Sequence, residues 1–168
     1  MKRVSNTKTI TRPAEIELVP PIRPTARAII VRQRRILLLR KDYGESGERY
    51  ALPGGAQETG ETLHQALQRE CAEEIGTTVK IGPLLHAADF FKLKATEPPT
   101  RRHLLDLLFR CEVPDHYQPC NGPHPDKHQV AVLWVDIASL AHLRMSPAYL
   151  RECILQLDAA GPVYLGKV

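Results

Sequence analysis

The chain has 168 residues, 43% hydrophobic and 25% charged, with a formal net charge of +4, a balance that suits one domain and argues against wholesale disorder. Its apolar runs, such as 36–39 and 130–135, fall far short of the roughly 18 residues that a membrane helix needs, and no apolar segment beside the basic N-terminus marks a secretory signal. Cys71, Cys111, Cys120 and Cys153 form no C-x-x-C pair, so neither a zinc knuckle nor a redox dithiol is suggested, and a cytoplasmic location is expected.

Residues 1–24 carry Lys2, Arg3, Lys8 and Arg12 among Pro13, Pro20, Pro21 and Pro24 without helical or strand periodicity. That predicts a basic arm ahead of a single domain over 25–160, with a tail at 161–168. Two β-rich runs, 26–31 and 35–40, flank the polar residues 32–34 and predict a hairpin. A loop over 42–49 leads to a short extended segment, 50–52, ended by Pro53, Gly54 and Gly55. A helix follows from about Thr62 to Ile75, then strands near 79–85, 87–93, 103–113 and 129–136. Of the loops at 94–102 and 114–128, the second is long enough to suit a binding role. Ser146 and Pro147 fit the N-cap and first position of a last helix over about 146–160, closed by Gly161. The order of elements predicts an α/β (α+β) sandwich.

The helix at 62–75 carries the chemical argument. Thr62 and Gln65 have the spacing of a capping box, and Gly76 supplies the left-handed residue that ends a helix. At about 100° per residue, Glu70 and Glu74 fall within about 20° of Leu63, inside the apolar stripe of Leu63, Leu67 and Cys71. Solvated carboxylates belong on the opposite face, where Gln65, Gln68 and Ala72 lie. Glu73 and Glu74 also occupy the last turn, where the helix dipole disfavours negative charge, and Glu70 repels Glu74 at i+4. Arg69 can pair with Glu73, but Glu70 and Glu74 face inward without a cation close in sequence. Oxygen ligands with no His or Cys nearby suit Mg²⁺ or Mn²⁺ better than zinc, and Mg²⁺ pairs naturally with phosphates. Gly54, Gly55 and Gly60 ahead of the helix let a ligand approach the main chain.

These residues resemble the signature of the Nudix hydrolases: a Gly, five residues, Glu, seven residues, then Arg-Glu-apolar-x-Glu-Glu-x-Gly-apolar. Here the pattern reads Gly55, Glu61, then Arg69-Glu70-Cys71-Ala72-Glu73-Glu74-Ile75-Gly76-Thr77, departing only at Cys71 and Thr77. The resemblance implies an α/β/α sandwich around a mixed sheet. It implies Glu70, Glu73 and Glu74 as metal ligands, with the Gly55 carbonyl as a further one, and Glu61 and Arg69 as organising residues. The implied reaction is hydrolysis of a pyrophosphate bond in a nucleoside diphosphate derivative by metal-activated water. The general base is left open between Glu70 and a residue outside the helix, for which Glu112, Asp126 and His128 are candidates.

Substrate recognition is expected outside the signature. Arg27, Arg40, Arg101 and Arg102 suit phosphates, and Tyr43, Tyr50, Phe90, Phe91 and Tyr117 suit a base. The rival reading keeps the fold as a nucleotide-sensing or RNA-binding module, which the basic arm favours and the intact carboxylates disfavour. The expected partner is a small nucleoside diphosphate derivative rather than nucleic acid or a membrane, and a homodimer is left open.

Overall fold

The computed structural model describes residues 17–168, with side chains from residue 21. The arm's Lys2, Arg3, Lys8 and Arg12 lie outside the described residues. Strand β1 (Glu17–Arg32) starts well before the expected 26, because it runs parallel to β6 (Thr100–Glu112) along most of its length. The pairing slips between Val19 and Arg23, where Pro20 and Pro21 have no N–H to give the ladder. The domain therefore begins inside what composition alone reads as an arm.

β1 turns into β2 (Arg35–Asp42) through Gln33 and Arg34, both with positive φ, a two-residue turn whose twist matches the hairpin. β2 is flanked by β3 (Glu48–Ala51) and β7 (Gln129–Asp136), both antiparallel to it. The short β4 (Gly54–Ala56) pairs with β1. β5 (Lys80–Lys94) pairs antiparallel with β6 as one strand, where two were expected; register shifts at Ile81, Leu84 and His86 interrupt its alternation. The result is one mixed sheet of eight strands in the order β3-β2-β1-β6-β5-β8, with β4 on β1 and β7 on β2.

Successive strand residues point to opposite faces, and the core divides accordingly. Ala26, Ala28 and Ile30 with Leu37 and Leu39 meet Leu67, Cys71 and Ile75 of helix α1 (Leu63–Ile75). Ile29, Ile36 and Leu38 meet Leu150, Cys153 and Ile154 of helix α2 (Leu150–Leu155) on the other side. This is the expected α/β/α sandwich. α2 is shorter than the sequence suggests, because the Ser146 N–H donates to the Tyr50 carbonyl at 2.8 Å and holds that residue beside β3. The expected tail contains a strand, β8 (Tyr164–Lys167), which pairs parallel with β5. No helix among the described residues is long and apolar enough to cross a membrane.

Candidate active site

α1 opens with the expected capping box: the Gln65 N–H donates to Thr62 Oγ1 at 3.2 Å, and the Thr62 N–H to Gln65 Oε1 at 2.8 Å. Its other end is closed by the 114–128 loop. The N–H groups of Gly122 and His124 donate to the carbonyls of Glu74 and Glu73, each at 3.0 Å, and the Tyr117 hydroxyl donates to the Ile75 carbonyl at 2.9 Å. These donors meet the negative end of the helix. They also bring Asp126 up to Lys41, with which it pairs. Tyr117 is thus a structural residue and is not available to a base.

The three glutamates grade in burial: the Glu74 residue is 4% exposed, while the side chains of Glu70 and Glu73 are 17% and 36% exposed. Glu74 accepts the Gly54 N–H at 2.8 Å. Burial pushes its carboxyl up to about 7, against the Gly54 N–H and Lys41 and with help from Glu70 and Asp126. Burial also raises the Glu70 carboxyl, opposed by Arg69. Arg69 is shared more widely than its i+4 spacing suggests. Its guanidinium grips both Glu61 oxygens, at 2.7 and 3.0 Å, and donates to Glu70 at 2.9 Å, to Glu73 at 3.4 Å and to the Ala56 carbonyl at 3.0 Å. The Glu61 carboxyl is pulled down to about 2, first by Arg69 and then by the Glu58 N–H.

Among the described residues, no three His, Cys, Asp or Glu side chains converge on one metal position. The physical reason is visible: Arg69 draws Glu70 and Glu73 towards itself, and the Gly54 N–H draws Glu74. The donor set still fits a hard divalent cation, because it offers only oxygens and gathers carboxylates, of which burial and, after it, their mutual repulsion raise Glu70 and Glu74. The glycines in front of it have different jobs. A Cβ on Gly55 would lie 2.5 Å from the Glu70 carboxylate, and one on Gly54, where φ is +126°, would lie 2.1 Å from the Ala26 carbonyl. Gly54→Ala is therefore expected to cost roughly 3 kcal/mol by moving backbone. Gly55→Ala is expected to cost little stability but much activity, because only a flexible carboxylate has to move. Melting curves beside rate measurements check the pair; equal melting temperatures for the two variants would contradict it.

The carboxylates border a cavity of about 620 Å³. Of the expected substrate and base residues, Arg27, Phe90, Arg102, Tyr43 and Asp126 line it, and Arg40, Tyr50, Arg101, Glu112 and His128 do not. Arg40 and Tyr50 are turned to Glu48, at 3.7 and 3.3 Å. Arg101 falls on the strand face opposite Arg102. Glu112 pairs with Lys80 at the far end of β6, and His128 stacks on Tyr43 at 4.3 Å. Phe91 stacks on His103 rather than facing the cavity.

Sequence reasoning missed Lys41, Arg23, Lys92 and Lys94, all in the cavity wall. For Arg23, Lys92 and Lys94 the signal was the two-residue spacing of Arg23, Thr25 and Arg27 and of Phe90, Lys92 and Lys94, which puts each set on one strand face. It also missed Asp106, fully buried and set among leucines. Asp106 accepts the hydroxyls of Thr25 and of Tyr149, the latter at 2.7 Å, and lies 3.3 Å from Arg27 Nε. Burial and then Asp106 raise the Tyr149 phenol, so it stays protonated as a donor. Asp106 thereby places a negative charge beside Arg27 at the cavity wall, where the buried Arg27 Nε makes no hydrogen bond.

A family model described as a NUDIX domain matches residues 21–156. An ADP-ribose pyrophosphatase of Methanocaldococcus jannaschii is 32% identical over 85 residues, which cover 51% of this chain and 47% of that protein, so the chain matches about half of its relative's length. A NUDIX hydrolase from Nitrosomonas europaea superposes with a TM-score of 0.65 at 17% identity, over 89% of this chain and 80% of the other. A UDP-X diphosphatase superposes with a TM-score of 0.62 at 21% identity, over 87% and 68%. At these identities the structures show a shared fold.

Proposed function

Because the chain belongs to the Nudix family, we propose that it hydrolyses the pyrophosphate bond of a nucleoside diphosphate linked to another moiety, with Mg²⁺ or Mn²⁺ as cofactor. The observation that supports this most is that one cavity is lined both by the glutamates of α1 and by Lys and Arg side chains of β1, β2, β5 and β6. A substrate diphosphate between them meets cations from the protein and, through a divalent ion, the carboxylates. The names of the M. jannaschii relative and of the UDP-X diphosphatase point to the same class of substrate.

Glu70, Glu73 and Glu74, with the Gly55 carbonyl, are the residues to hold the cation. When bound, it supplies charge neutralisation on the diphosphate and acidifies water. The chain's own groups do the rest. Arg69 and Glu61 fix the loop ahead of α1 against the helix, so the carboxylates keep their places. Arg27, with the Asp106 carboxylate 3.3 Å from its Nε as counter-charge, presents a guanidinium to a phosphate. Phe90 offers its ring to a base, whereas Tyr43 is already engaged by His128 and by the Arg49 guanidinium.

A general base works best with a pKa near the working pH. The Asp126 carboxyl, though burial opposes it, is held below its usual range by Lys41 and the Lys127 N–H, whereas Glu70 is raised. Glu70 therefore fits the proton-accepting role better. The test is a panel of nucleotide sugars, nucleoside triphosphates and dinucleoside polyphosphates incubated with Mg²⁺ and analysed for cleaved nucleotide. Release that is lost on chelation supports the proposal. Tight binding without any turnover across the panel would favour the sensing module instead.

A further inference from the structure

The cavity holds more positive charge than a single diphosphate needs. Arg27 is paired with Asp106 and Lys41 with Asp126. Arg23, Lys92, Lys94 and Arg102 line the same cavity, and among the described residues none of them forms an ion pair. Their placement on the sheet makes this costly. Lys92 stands directly opposite Arg102 in the β5–β6 ladder, and Arg23 is paired with Leu104, two residues along β6 from Arg102. Like charges directly opposite on one sheet face destabilise the pair. Burial, and after it Arg27 and Lys41, holds the Lys92 ammonium below its usual range.

We propose that Arg23, Lys92, Lys94 and Arg102 form a second anion subsite, which takes a phosphate group of the substrate beyond the diphosphate that is cut. The inference rests on the hydrolase reading above and narrows it: favoured substrates carry at least one extra phosphate. That group is either the end of a longer polyphosphate chain or a phosphate monoester on the linked moiety. Both present the same dianionic oxygens, for which Arg and Lys clusters are suited. The subsite lies on the part of the wall formed by β1, β5 and β6, on other elements than the α1 carboxylates.

Two measurements on Lys92→Gln/Arg102→Gln test the subsite. The first compares kcat/KM for ADP-ribose, for ADP-ribose carrying a 2′-phosphate and for a nucleoside tetraphosphate. The preference of the wild type for one phosphate-bearing substrate over ADP-ribose is expected to fall about tenfold in the variant, and the substrate whose preference falls identifies the source of the phosphate. The second is calorimetric binding of inorganic tripolyphosphate in EDTA, which needs no hydrolysis. Binding is expected to weaken about tenfold, while the ligand-free variant melts at the same or a higher temperature because the opposed cations are gone. Unchanged tripolyphosphate binding, or an unchanged preference in an enzyme that turns these substrates over, would overturn the subsite. Weakened binding in a protein that cleaves nothing on the panel would leave the subsite standing and remove the hydrolase reading.

Discussion

Replacing Glu70 and Glu74 together by glutamine is expected to lower turnover by about a hundredfold or more, with the protein still folded. Each change removes an anionic oxygen at nearly constant size, and Glu70 is also the better-suited base, so the loss reaches the range of a missing acid–base group. Asp126→Asn is expected to cost less than about tenfold on the same scale; a loss equal to that of Glu70→Gln would move the base to Asp126. The same pair of glutamates has a signature without substrate. Glu74 titrates near 7 when folded and near 4.5 ordinarily. Between those values the folded protein holds a proton that the unfolded chain has released, so stability is lost as pH rises from 4.5 to 7. The difference is on the order of 3 kcal/mol. Glu61, pulled the other way, loses its contribution only as pH falls through about 2, outside that window. In EDTA the wild type is therefore expected to melt lower at pH 8 than at pH 5, and Glu74→Gln to flatten the difference. Equal pH dependence in the two proteins would contradict the burial of this carboxylate.

Arg69→Ala is expected to reduce turnover by about tenfold to a hundredfold and to shift the Michaelis constant less. Its guanidinium is the only cation within ion-pair distance of Glu61, Glu70 and Glu73 among the described residues, and it also binds the Ala56 carbonyl. Without it the loop ahead of α1 loses its strut and three carboxylates lose their counter-charge. The melting temperature is expected to fall on the order of 5 °C at neutral pH. Arg69→Lys restores the charge but not the fork that grips both Glu61 oxygens, so it should recover only part of either loss. A raised Michaelis constant with normal turnover would instead make Arg69 a substrate contact.

Helical phase made the α1 site legible. The capping box follows from Thr62 and Gln65, the terminus from Gly76 and the inward direction of Glu70 and Glu74 from a 3.6-residue period, and they agree with the cap geometry and burial observed. The cavity's other walls were harder to read. Arg27 and Phe90 stood among many plausible Arg and aromatic residues, and strand alternation, which separates Arg102 from Arg101, needs a register that only pairing supplies. Asp106 looks like a misfit within Leu104–Leu108 until Thr25 and Tyr149, distant in sequence, close around it. The N-terminal boundary was misread for a related reason. Prolines weaken a ladder locally, but the β1–β6 pairing continues on both sides of the slip.

Hydrolysis in ¹⁸O-enriched water with Mg²⁺, followed by phosphorus NMR, tests the central claim most directly. Cleavage of a diphosphate-bridged nucleotide is expected with one ¹⁸O entering a single phosphate product, and with an initial rate lower by about a hundredfold or more for Glu70→Gln/Glu74→Gln under the same conditions. An intact substrate after prolonged incubation with the wild type, or equal label incorporation by the double variant, would contradict it.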